Sequence, residues 1–317
     1  MRRSSKSQGA LSARRLRLEC PMPYQYRNSR HYRYTPEPVV RRRRSRKLLA
    51  FAVVAVVGAA IMLSYVGMQV NQSKVSAKKM QTQSVAAQQA ATKIRSLIVA
   101  DGSDVIGVAI ENVKTGEVTT YGATSQFVAA STEKILSAIT YYHLAERGVL
   151  SLDDMVGPYP ASYQLQQMIN QSNNDSWNAI NEALGGNDEL QAYAKSIGLH
   201  YNVDGNLMSA ADMATLLTKL YTGKLLNADH TKTLLSYMQH TNDEMLISSV
   251  LPSGLTIHHK YGELVDGTTN VLHDAAVVTD GSNTYAIVIY TDGRSGVAAR
   301  TETVQQIARA ALTVCGW

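Results

Sequence analysis

The chain has 317 residues, 45% of them apolar and 18% charged, with two cysteines and a net charge of +6. That length holds one large domain with appendages, and the two cysteines offer no metal-type spacing. The charge is uneven: residues 1–47 hold 15 Lys and Arg against Glu19 and Glu37, a net of +13, which leaves −7 for residues 48–317. The basic balance therefore belongs to a tail, and no nucleic-acid partner is expected of the part that folds.

The tail is rich in Arg, Tyr, Ser and Pro without apolar periodicity, so residues 1–47 read as a disordered cytoplasmic segment. It ends in Arg41-Arg-Arg-Arg-Ser-Arg-Lys47. Residues 48–70 follow, free of charge and apolar except for Ser64, Tyr65 and Gln69. About 20 such residues cross a bilayer as a helix. The arginine block places the N-terminus inside and the remainder outside a cell membrane. The long basic lead and the lack of a small-residue cleavage site argue against a removed signal peptide. The same arginines suit anionic lipid. Cys20 and Cys315 then lie on opposite sides and cannot pair within one chain. Residues 71–95, rich in Gln, Ala, Ser and Lys, read as a partly helical stalk.

From residue 96 the pattern becomes that of a folded domain. Val105–Glu111 reads as a strand, Asn112–Gly116 as a turn and Glu117–Tyr121 as the returning strand. A helix opens at Ser131 and ends near Gly148. Further helices cover Ser162–Ile169, Ser176–Leu184, Asn187 (with Asp188 as a cap) to Gly198, Ser209–Gly223 and His230–Gln239. Ser209-Ala-Ala-Asp212 has the form of a capping box. Strands follow at Thr256–Tyr261, Val271–Thr279 and Thr284–Tyr290, the last β-branched and aromatic enough to be central. A helix over Arg300–Val314 closes the chain. This order predicts an α+β fold: one antiparallel sheet from both ends of the domain, flanked by N- and C-terminal helices, with an all-helical subdomain inserted, preceded by one transmembrane helix. A cleft is expected between sheet and insert.

Ser131-Thr-Glu-Lys134 carries the chemistry. A serine and a lysine three apart on a helix share one face. A serine needs an adjacent base to become a nucleophile, and a lysine serves only if burial and nearby positive charge keep it neutral. Helical N–H groups at that point suit an oxyanion. Alone the motif is common: Ser76-Ala-Lys-Lys79 is a second copy, in a polar stalk without a scaffold, and Ser131 by itself could simply start a helix. Two later elements change the balance, Ser172-Asn173-Asn174 in an inter-helix turn and Lys260-Tyr261-Gly262 on a strand.

Together the three resemble the Ser-x-x-Lys, Ser-Asp-Asn and Lys-Thr-Gly set of class A β-lactamases and penicillin-binding proteins. The flanks Gln167–Asn174, Leu251-Pro-Ser-Gly-Leu-Thr256, Asp274–Val278 and Met213–Leu225 extend the resemblance over about residues 96–317. It implies a β-lactamase/transpeptidase-like fold with Ser131 as acylated nucleophile and Lys134 as its base. Ser172 would relay the proton, and Lys260 would polarise Ser172 and attract a substrate carboxylate. Asn174 would hold the acyl side-chain amide, and the backbone N–H groups of Ser131 and Glu263 would form the oxyanion hole. Tyr261 and Gly262 would border the substrate. No cofactor and no metal are implied. His258, His259 and His273 lack ligand spacing, and Lys114-Thr115-Gly116 falls at a hairpin tip.

Three positions depart from the family pattern. The loop Leu199–Leu207 is short and lacks the glutamate that activates the deacylating water; Asp204 is its only carboxylate. Tyr261 stands where Thr or Ser is usual, which moves the hydroxyl away. Thr269 stands where many relatives place a carboxylate-binding arginine. The Lys134–Ser172 interval is also short, so a more open cleft with a weaker anion grip is expected. The reading is a membrane-anchored serine hydrolase attacking a β-lactam or acyl-D-amino-acid carbonyl, with slow deacylation. The alternatives are a penicillin-binding-protein-like DD-peptidase or transpeptidase on peptidoglycan peptides, and a non-catalytic cell-wall- or partner-binding homologue.

Overall fold

The computed structural model describes residues 43–102, 104–266, 270–293 and 295–317. Residues 1–42, with Cys20 and most of the arginine tail, lie outside the described residues, as does Thr269. The chain divides into two units, Met1–Gln69 and Val70–Trp317.

In the first unit the described residues are helical, the opening part of α1 (Arg43–Asp101). Its apolar side chains are exposed, among them Leu48, Phe51, Val54 and Ile61. This is a helix long and apolar enough to cross a membrane, a candidate span. Residues 71–95 belong to the same helix, and Ser76 is exposed on it.

The second unit is built on a five-stranded antiparallel sheet in the order β2-β1-β10-β9-β8. Its strands are β1 (Asp104–Asn112), β2 (Val118–Gly122), β8 (Thr256–Val265), β9 (Asn270–Thr279) and β10 (Thr284–Gly293). As the sequence implies, both ends of the domain supply it, and the β-branched run of β10 is central. One face carries the last turns of α1 through Ala90 and Ile94, and α8 (Val297–Val314) through Val304, Ile307, Ala308 and Ala311. The β1–β2 turn is closed by Asn112 Oδ1, which accepts the N–H groups of Lys114 and Thr115 at 3.0 and 3.1 Å. Lys114-Thr115-Gly116 is thus a hairpin tip.

Between β2 and β8 lie α2 (Lys134–Glu146), α3 (Ala161–Asn170), α4 (Asn174–Leu184), α5 (Asn187–Ser196), α6 (Ala210–Tyr221) and α7 (Ala228–Tyr237). Their apolar faces meet in one core with the sheet's other face, through Ile135, Ile139, Leu165, Met168, Leu217, Ala275 and Val288. Ser209 caps α6, accepting the Asp212 N–H at 3.1 Å, and the Asp212 carboxylate accepts from the Ser209 hydroxyl. Elsewhere the boundaries move. A 3₁₀ turn, Ala130–Glu133, precedes α2, so Ser131 sits in that turn and not in the α-helix. Asn187 and Asp188 lie inside α5, because Gly186 at φ 87° takes the position before it without a side-chain cap. α7 begins at Ala228, not His230, and Asn227 caps it by accepting the His230 N–H at 2.9 Å.

Short strands were not anticipated. β3 (Phe127–Val128), β7 (Leu207–Met208) and β6 (Tyr201–Asn202) make a small sheet, and β4 (Met155–Val156) pairs with β5 (Tyr159–Pro160). Two residues carry no readable period. The β3–β7 pair matters all the same, since it ties the loop 199–207 to the strand that leads into Ser131.

Candidate active site

Ser131 sits in a turn fixed from three sides. Thr132 Oγ1 contacts the Ala129 carbonyl and the Tyr290 hydroxyl, each at 2.7 Å. The Ala129 N–H donates to the Asn206 carbonyl at 2.7 Å, and Asn206 Nδ2 donates to the Ala130 carbonyl at 3.2 Å. From the third side β8 approaches so closely that a Cβ on Gly262 would lie 3.1 Å from both the Ser131 and Thr132 nitrogens. Glycine permits this approach of the strand to the Ser131 turn. Ala130, Ser172 and Asn206 all adopt left-handed backbone, at φ 49°, 53° and 49°. Such residues are sparse outside glycine and cluster at functional sites; here Ala130 and Asn206 line the cavity that holds Ser131, and Ser172 meets Lys134 and Lys260.

Lys134 opens α2 and is 2% exposed. Its Nζ donates to the Ser172 carbonyl at 2.7 Å and to Asn174 Oδ1 at 2.6 Å, and lies 3.4 Å from Ser172 Oγ. Lys260, fully buried on β8, donates to Ser172 Oγ at 2.8 Å and to the Tyr261 carbonyl at 2.9 Å. Ser172 thus bridges the two amines. The left-handed turn after α3 aims its carbonyl and its hydroxyl toward them. Burial, opposed by the Glu133 charge, brings the Lys134 amine down to about 8. Burial, reinforced by the Lys134 charge, holds Lys260 well below the usual lysine range. The two amines are therefore easier to deprotonate than surface lysines.

Ser131 and Lys134 open into one cavity of about 350 Å³, lined also by Ala130, Asn174, Trp177, Asn178, Asn206, Glu263 and Leu264. Among the described residues no hydrogen bond joins Lys134 to the Ser131 hydroxyl; the amine is held by Ser172 and by Asn174, which is the first residue of α4 and not part of the turn before it. Asp204 is exposed in a turn where Asn202 Oδ1 accepts its N–H, and Asn206 is the residue of that loop that lines the cavity. The aromatic ring of Tyr261 lies over Lys260, its centroid 4.1 Å from Nζ. The tyrosine that replaces the usual Thr or Ser thus packs its ring on the lysine amine.

Residues 89–315 match the family described as the beta-lactamase enzyme family. The chain belongs to it. Solved structures agree on the fold. A protein titled PBP-A is similar over 70% of this chain and 94% of its own, at 24% identity and a TM-score of 0.64. A β-lactamase from Chitinophaga pinensis is similar at 20% identity, over 70% and 97% of the two chains, with a TM-score of 0.64. The ancestral class A β-lactamase of Gram-negative bacteria gives the same identity and TM-score, over 70% and 98%. At these identities the likeness carries the fold, and the antiparallel sheet with its helices is the β-lactamase fold.

Within that family frame, three features escaped the sequence. Glu133, next to Lys134, is fully buried; Ser137 Oγ lies 2.6 Å from its Oε1, and Trp177 Nε1 donates to its Oε2 at 2.8 Å. Burial pushes this carboxyl up, against the pull of Ser137, Trp177 and Lys134. His259, next to Lys260, is buried between two carboxylates, with Nδ1 3.0 Å from Asp274 Oδ1 and Nε2 3.2 Å from Glu244 Oε1. Burial alone would lower this imidazole, but Asp274 and Glu244 raise it to about 10, so it is a cation at neutral pH. Asp274 Oδ2 also accepts the Ile247 N–H at 3.0 Å, which pins the segment 241–247 to β8 and β9. Last, the three histidines diverge. His258 Nδ1 meets the Leu235 carbonyl, while His273 meets the Val128 carbonyl and is held neutral by burial, down to about 4.

Proposed function

We propose that this chain is a membrane-anchored serine hydrolase of the class A β-lactamase type that works through an acyl-serine. The observation that carries the reading is the Lys134–Ser172–Lys260 chain, which ends at the cavity holding Ser131. Ser131 Oγ attacks the carbonyl of a β-lactam or acyl-D-amino acid, and its proton passes to the neutral Lys134 amine. The tetrahedral oxyanion is met by the backbone N–H groups of Ser131 and Glu263. The C–N bond then breaks, Ser172 passes a proton to the leaving nitrogen, and the proton on Lys134 replaces it. Asn174 holds the acyl side chain, a role that its contact with Lys134 at the cavity supports.

Residues 48–70 serve as the membrane anchor, with 1–47 inside and the hydrolase domain outside, beyond a stalk over residues 71–95; the exposed apolar helix supports this reading. A second reading, a DD-peptidase or transpeptidase on peptidoglycan peptides, draws support from the loop 199–207, whose one carboxylate, Asp204, is exposed and does not line the cavity. Both readings share acylation and differ in the acceptor. Intact mass spectrometry after incubation with a β-lactam and, separately, with an acyl thioester of neutral leaving group tests the shared step. A covalent adduct on wild type that is missing from Ser131→Ala supports it. No adduct on either chain refutes it.

A further inference from the structure

The covering of Lys260 bears on which acyl donors this site accepts. The Lys260 ammonium has no exposed surface: Ser172 Oγ and the Tyr261 carbonyl take two of its donors at 2.8 and 2.9 Å, and the Tyr261 ring lies over it. A cation over an aromatic face is held by the ring quadrupole. The ring is itself anchored. Asn242 Nδ2 donates to the Tyr261 hydroxyl at 3.2 Å and to the Gln171 carbonyl at 3.1 Å, and the Asn242 N–H donates to the Asn170 carbonyl at 3.1 Å. The segment bearing Asn242 is pinned in turn by the buried His259, through Glu244 and Asp274. The tyrosine is therefore a fixed cover on the ammonium.

What remains at the cavity surface is neutral or negative. Asn174, Asn178 and Asn206 present amides, and Glu263 presents an exposed carboxylate. The Lys134 amine is buried and tied to Ser172 and Asn174. A ligand carboxylate brought here would meet a like charge and lose its hydration with no exposed ammonium to replace it.

We propose that Tyr261 is the specificity-determining residue of the site, and that it selects acyl donors whose leaving group carries no free carboxylate beside the scissile bond. This rests on the acyl-transfer reading above and narrows it to amides and esters over C-terminal acids. The chemistry at Ser131 is unchanged: the Oγ–C bond forms, the bond from the carbonyl carbon to its leaving atom breaks, and the proton of Ser131 ends on the leaving group. Tyr261→Thr removes the cover, exposes Lys260 and turns the preference toward the acid.

The test uses the full-length chain in detergent with two acyl-D-alanyl thioesters that differ only in the leaving thiol, thioglycolate or its carboxamide. Thiol release gives kcat/KM for each. Wild type is expected to favour the carboxamide, and Tyr261→Thr to raise the acid-to-amide ratio by about tenfold or more, the scale of a single-contact specificity change. Tyr261→Phe, which keeps the ring, should retain the wild-type preference. A wild type that favours the acid, or a ratio that Tyr261→Thr leaves in place, overturns the proposal. If neither thioester reacts with wild type or variant, the acyl-transfer reading fails separately. The cover is then read from amine labelling with acetic anhydride and peptide mapping. Lys260 should stay unmodified in wild type while exposed Lys224 reacts, and should become modified in Tyr261→Thr. Equal labelling of Lys260 and Lys224 in wild type, or no gain in the variant, counts against it.

Discussion

Ser172 Oγ accepts a hydrogen bond from Lys260 Nζ at 2.8 Å. That one contact joins the third motif to the second. The second motif is joined to the first by Lys134, whose amine reaches the carbonyl of the same serine. Segments that lie 38 and 88 residues apart in the chain thus share a single hydroxyl-bearing residue. An amine that is easily deprotonated, a hydroxyl and a second depressed amine in series are the parts a proton relay needs.

The first prediction concerns Lys134. In the proposed mechanism its neutral form is the base, and its amine is held at about 8. Acylation should therefore rise with pH below about 8 and level off above it. Lys134→Arg keeps a cation but supplies no base, and should lower the acylation rate by about 10²–10⁴. Stopped-flow or quenched mass measurements between pH 5.5 and 9.5 check both. A flat profile in wild type would remove Lys134 from the role.

The second concerns His259. Replacing it with Gln leaves the buried Asp274 without its counter-charge, a change that costs about 3–5 kcal/mol for buried pairs. His259 is raised from its ordinary 6.5 to about 10 in the fold. Its contribution is thus whole below pH 6.5 and is lost as pH climbs through 10. Lys134 and Lys260, depressed by burial, act with the opposite sign. The informative quantity is the stability difference between wild type and His259→Gln, which should shrink between pH 6.5 and 10. Denaturant melts at several pH values read it directly.

Third, Ser137 Oγ stands 2.6 Å from Glu133 Oε1 and 2.8 Å from Asn181 Oδ1. One hydroxyl proton cannot serve both acceptors, and a protonated Glu133 that donates to Ser137 resolves the count. Glu133→Gln, a neutral isostere, should then stay within about 1 kcal/mol of wild type. Glu133→Ala, which strands the Trp177 N–H, should cost about 1–3 kcal/mol. Equal losses in both variants would show that the carboxyl is ionised.

Much of the fold was legible because its signals are local. The β-branched run of β10 marked a central strand, and Ser209-Ala-Ala-Asp212 marked the start of α6. The three motifs were legible because each is a short pattern. What the sequence hid depends on contacts between distant segments. Nothing near Glu133 announces that Trp177, 44 residues on, will donate to it. His259 looked like one of several strand histidines until β9 brought Asp274 alongside. Tyr261 could be read as bulk, but the direction of its ring follows from Asn242, which belongs to another segment. The pairing of β3 with β7 was likewise out of reach, since two-residue strands have no period.

A fourth prediction follows from that β7 loop. Asn206 is the residue of that loop at the cavity that holds Ser131, and Asp204, the loop's one carboxylate, is exposed to solvent. Deacylation should lag acylation by about 10²–10⁴, the usual contribution of a general base. A burst of product equal to the enzyme concentration, followed by slow turnover, is the signature. Turnover as fast as acylation would show that another group supplies the base.

The most direct measurement is the mass of the protein itself after exposure to a β-lactam and, separately, to an acyl thioester with a neutral leaving group. Wild type should gain one acyl group from at least one of them, mapped to the peptide containing Ser131, and Ser131→Ala should gain none. An unchanged mass with both donors, or an adduct that survives Ser131→Ala, would contradict the account.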